Sequence, residues 1–98
     1  MASPELIAEI NRTIDTYENL TGGFAANTHQ MIQNLGHVGA LSRLVQSADL
    51  QTGFRLLRDR GELESTFEAV IIRFSNEFQA QVVQAAQWRL NNAGELID

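Results

Sequence analysis

Apolar residues return at helical spacing along the whole chain, and caps or glycines cut that spacing into short segments. Leu6, Ile10, Ile14, Tyr17 and Leu20 recur at three- and four-residue steps, with Glu9, Arg12, Asp15 and Glu18 on the other faces. They predict a first helix that Ser3-Pro4 opens and Gly22-Gly23 ends. Phe24, Thr28, Met31, Ile32 and Leu35 extend the pattern into a second helix, closed by Gly36. Val38, Leu41, Leu44 and Val45 share a face over Val38 to Gln46, a third short helix, in which Gly39 leaves room for another backbone to approach.

Ser47 or Asp49 caps the next segment, where Leu50, Phe54 and Leu57 fall on one face and Gly61 supplies the stop. Gly53 inside it costs helix stability, about 1 kcal/mol relative to alanine, and so marks tight packing or a local break. Ser65-Thr66-Phe67-Glu68 reads as a capping box ahead of Phe67, Val70, Ile71 and Phe74. The β-branched run Val70-Ile71-Ile72 is the one stretch with strand character, and no second strand candidate exists to pair with it. Ser75 or Asn76 caps the last helix, with the stripe Phe78, Val82, Ala85, Ala86 and Leu90, before Asn91 to Gly94 end it. The expected architecture is all-α: a compact bundle of about five to six short helices, one domain over residues 1–98.

Composition supports a chain that folds. Ninety-eight residues with 44% hydrophobic content suffice for one small core, far from the low-hydrophobicity regime of disordered segments. The absence of cysteine excludes disulfides, iron-sulfur clusters and thiolate zinc sites, and it agrees with a cytoplasmic setting. No apolar run approaches the ~18 residues of a membrane helix, so a soluble protein is expected. A formal charge of -5 disfavours generic attraction to nucleic acid or anionic lipid.

All seven basic residues are arginine. Arg55 and Arg58 share a helix face and can grip an anion, or pair with Asp59, Glu62 and Glu64 as ordinary surface charges. Trp88 lies beside the last apolar stripe, flanked by Gln87 and Arg89, where it either anchors an interface or covers the edge of the core. His29 and His37 have no carboxylate close in sequence, so neither a metal motif nor a buttressed base is visible. Glu62, Glu64 and Glu68 cluster at a turn without the spacing of a calcium loop. The serines are better used as caps than as nucleophiles. No catalytic, cofactor-binding or metal residue is assigned.

The segments Gly39 to Leu44, Gly53-Phe54, Gly61 to Leu63, Thr66 to Ala69 and Phe78 through Leu90 together resemble an uncharacterised all-helical module of bacterial proteins, over about half the chain. That module is found alone and joined to larger proteins, and no activity is attached to it, so the resemblance implies docking or scaffolding. Met1 to Leu35 lie outside it. The expectation is a nonenzymatic helical module that binds a protein partner or itself, with Arg55, Arg58, Trp88 and Arg89 as interaction residues. Two other readings stand beside it: an acidic inhibitor that blocks a partner's binding surface, and a small anion or nucleotide binder using the arginines.

Overall fold

Thr66, at the start of the fourth helix, shows how local chemistry sets an element. Its hydroxyl accepts from the Ala69 amide at 3.2 Å and donates to the Leu63 carbonyl at 2.6 Å. The cap is therefore Thr66 and not Ser65, which belongs to a 3-10 turn over Leu63–Ser65. The shift of one residue moves Glu68 from the third helical position to the second and turns its carboxylate into the protein, so the expected capping box does not form.

The computed structural model describes residues 2–47 and 52–94. Among them the chain forms α1 (Pro4–Thr21), α2 (Ala26–Gln46), α3 (Thr52–Asp59), α4 (Phe67–Arg73) and α5 (Ala80–Asn91), and no strand. The expected all-α bundle is what folds. Asp49 and Leu50, proposed above as cap and core of the fourth segment, lie outside the described residues. Val70 to Ile72 are helical within α4. None of these helices is long and apolar enough to cross a membrane.

α1 begins as its sequence dictates: the Ser3 hydroxyl accepts from the Leu6 amide at 3.1 Å, and Pro4 occupies the first turn. Gly22, with φ +72°, ends it in the left-handed conformation, its amide bonded to the Glu18 carbonyl. The second and third predicted helices run together as α2, broken at Gly36, whose φ of 78° and ψ of 171° are reached only by glycine. The kink sets Leu35 against Gly39, where a Cβ would stand 3.2 Å from the Leu35 Cβ. The close neighbour of Gly39 is thus the preceding turn of its own helix and not a second backbone.

Phe24 precedes α2 instead of lining it and is 72% exposed. Gly53 falls in the first turn of α3, where it admits the Tyr17 ring of α1 at 3.5 Å from a would-be Cβ. α5 starts two residues later than its apolar stripe, at Ala80, because Ser75–Glu77 forms a 3-10 turn that neither Ser75 nor Asn76 caps into the helix. Leu6, Ile10 and Ile14 of α1, Leu41 and Val45 of α2, Val70 and Ile71 of α4, and Val82 and Ala86 of α5 build the core. Buried Ala86 lets α4 and α5 pack closely.

A polar clamp closes the bundle at the start of α1. Glu77 accepts from the Ser3 amide at 2.8 Å and the Ser3 hydroxyl at 2.6 Å, tying the first helix to the α4–α5 connection. The hydroxyl bond first, then the amide bond, hold the Glu77 carboxyl below its ordinary value of 4.5. A carboxylate whose pKa is lower folded than unfolded adds stability above the unfolded value, and that stability is lost as pH falls through the folded one. Glu77→Gln is accordingly expected to flatten the acid limb: its loss of denaturant midpoint between pH 7 and the region below 4.5 should be smaller than that of the parent. Parallel stability curves for the two proteins would refute the assignment.

Candidate functional site

α5 carries a single formal charge, Arg89, and turns it inward. The buried positions Val82, Ala86 and Arg89 follow a four-then-three spacing that places the guanidinium on the apolar stripe, and Ala93 continues it past the helix end. One Arg89 nitrogen lies 3.0 Å from a Glu68 carboxylate oxygen of α4, with Glu68 2% and Arg89 6% exposed. Arg89 also donates to the Leu44 carbonyl at 3.4 Å and the Ser47 carbonyl at 2.7 Å, at the C-terminal end of α2. A planar, always charged fork suits this task, since it serves a carboxylate and helix-end carbonyls together. The staple joins α2, α4 and α5.

Burial pushes the Glu68 carboxyl up from the usual carboxylate range, and its own backbone amide and the Arg89 guanidinium pull it part of the way back. The sign is opposite to that of Glu77: this group favours folding most when protonated, and the contribution declines as pH rises through its raised pKa.

With Arg89 inside, the outer face of α5 has no charge. Gln81, Gln84, Gln87, Trp88 and Asn91 are exposed there, and Gln87 donates to Asn91 at 2.9 Å. Trp88 is 57% exposed, so it does not serve as a lid over the core. Neighbouring residues on a helix are separated by about 100°, so the inward anchoring of Arg89 is what turns Trp88 outward. The four expected interaction residues therefore divide: Trp88 lies on the surface, Arg89 is buried against Glu68, and Arg55 is half-buried on α3. Arg58 pairs with Asp59 at 2.9 Å and donates to the Ala93 carbonyl at 3.4 Å, which holds α3 against the segment that follows α5.

Chain folding also supplies partners that are remote in sequence. His29 stands 3.0 Å from a Glu18 carboxylate oxygen, 11 positions away, because the Gly22-Gly23 turn folds the start of α2 back onto α1. The same oxygen accepts from the Ala25 amide at 2.8 Å, and this bond, followed by that to His29, lowers the Glu18 pKa. The exposed Phe24 ring stacks on His29 with centroids 4.4 Å apart. Among the described residues no group of three or more His, Cys, Asp or Glu side chains has the arrangement to hold a metal ion. The turn carboxylates Glu62 and Glu64 are exposed, whereas Glu68 is committed to Arg89. No protein family, curated protein or solved structure matches this chain.

Proposed function

We propose that this chain is a nonenzymatic helical module that associates with a second copy of itself through the outer face of α5, in the reducing cytoplasm that suits its lack of cysteine. One observation carries the reading: on a protein of net charge -5, this face is uncharged and is centred on a tryptophan 57% exposed. Depletion of charge with enrichment of Trp is the compositional mark of an interface centre. Two copies of an acidic chain repel, so a self-complementary contact favours a surface without carboxylates. The glutamine side chains beside Trp88 offer both donors and acceptors, which a twofold axis can pair with themselves. α5 is about 18 Å long, which puts the contact at the small end of specific interfaces and makes the association concentration-dependent.

Trp88 is the only tryptophan, so its emission reports on this face alone. On a concentration series, sedimentation velocity is expected to show a monomer–dimer equilibrium, and the Trp88 emission should move to shorter wavelength as dimer forms. Gln84→Glu combined with Gln87→Glu should abolish the dimer with helicity intact, because four carboxylates would meet across the axis. A monomer at every concentration, with invariant emission, would defeat the proposal.

A further inference from the structure

We infer that the groove between α1, the start of α2 and α3 binds an uncharged, largely apolar small molecule that carries one hydrogen-bonding group. This goes beyond the proposed association and concerns a different face, since no residue of α5 lines the groove. The groove encloses about 640 Å³, inside the 300–1,000 Å³ range of small-ligand sites. Ile14, Tyr17, Met31, Phe54, Leu57 and Phe67 supply apolar and aromatic walls, and the stacked Phe24 ring stands at the rim.

Charge and hydrogen bonding then narrow the occupant. Among the described residues lining the groove Glu68 is the single charged one, and Arg89 compensates it from behind. A cation would have to compete with that guanidinium, and an anion would meet a carboxylate with no basic group among the described lining residues. An uncharged ligand faces neither cost. One buried polar wall group has capacity to give: Thr13 is 5% exposed, lines the groove, and its hydroxyl makes no hydrogen bond to a described residue, whereas Tyr17, Asn27 and Thr28 are part-exposed or exposed and can turn their polar groups to water. The Thr66 hydroxyl, by contrast, already donates to Leu63 and accepts from Ala69. A ligand with one donor or acceptor set against Thr13 and an apolar body against the aromatic walls satisfies the buried groups the described lining presents.

The test uses N-phenyl-1-naphthylamine, an uncharged aromatic probe with one N–H group whose fluorescence rises in apolar surroundings. Saturable one-site binding to the full chain is expected. Met31→Trp, which fills the groove from α2, should weaken binding at least tenfold. Thr13→Val should weaken it roughly three- to tenfold, the range of one neutral hydrogen bond. Ala26→Trp, at an exposed rim position that leaves the core untouched, is the second filling variant should Met31→Trp fail to fold, and it too should lower affinity. Trp88→Ala should bind as the parent does, whether or not it dimerises, so failure of the groove and failure of the α5 interface give separate results. Unsaturable binding, binding undiminished by both filling variants, or binding lost with Trp88→Ala would overturn the inference.

Discussion

Arg89→Ala is expected to destabilise the fold by about 3–5 kcal/mol, the cost of removing one partner of a buried ion pair. The variant leaves the Glu68 carboxylate 2% exposed with its guanidinium gone, and takes a donor from the Leu44 and Ser47 carbonyls. Domains of this size are stable by about 5–15 kcal/mol, so the loss is a large fraction of the total. Urea unfolding should show a much lower midpoint with a similar slope. Glu68→Ala should behave alike, for the mirror reason. The double variant Glu68→Leu with Arg89→Met should recover most of the loss, since well-packed apolar side chains of similar volume replace buried ion pairs at little net cost. An unfolding free energy for Arg89→Ala within about 1 kcal/mol of the parent would mean that the staple has no structural weight.

Leu41→Ala is expected to cost about 2–5 kcal/mol, whereas Leu35→Ala on the same helix should stay within about 0.5 kcal/mol of the parent. Leu41 is fully buried in the core cluster that α1, α2, α4 and α5 build, and its truncation opens a cavity there. Leu35 is 44% exposed and stands on the other side of the kink at Gly36. Equal losses for the two leucines in urea unfolding would contradict the placement of α2.

The ion pair and the proposed interface are connected. Arg89 and Trp88 are adjacent, and the depth at which the guanidinium is anchored sets the rotation of α5 about its axis. A helix held only by Val82 and Ala86 would have a narrower apolar stripe, with less to fix which residues face water. Arg89→Met within the double variant should therefore leave Trp88 exposed, while the single Arg89→Ala loses both stability and the orientation of the face.

Local signals in the amino-acid order were sufficient for the helical class and for several of the helix ends. The Ser3 cap, the Gly22 stop, the break at Gly36 and the stop at Gly61 each depend on residues within about four positions, and each stands where the spacing put it. At the start of α4 the expected Ser65 cap gave way to Thr66, because the turn over Leu63–Ser65 forms only in the folded chain and hands the cap to the next residue. Sequence periodicity held one further clue: Arg89 falls on the buried stripe of α5 and Trp88 off it, a hint that this arginine needed an internal partner.

Naming that partner required tertiary structure. Glu68 and Arg89 are 21 positions apart on different helices, Glu18 meets His29 across a turn, and the groove draws its walls from α1, α2, α3 and α4. Helix formation is governed by neighbours along the chain, so it is written in the order of residues. Pairing of charges and the shape of a groove are governed by how helices pack in space, and that emerges only once the apolar faces have buried one another.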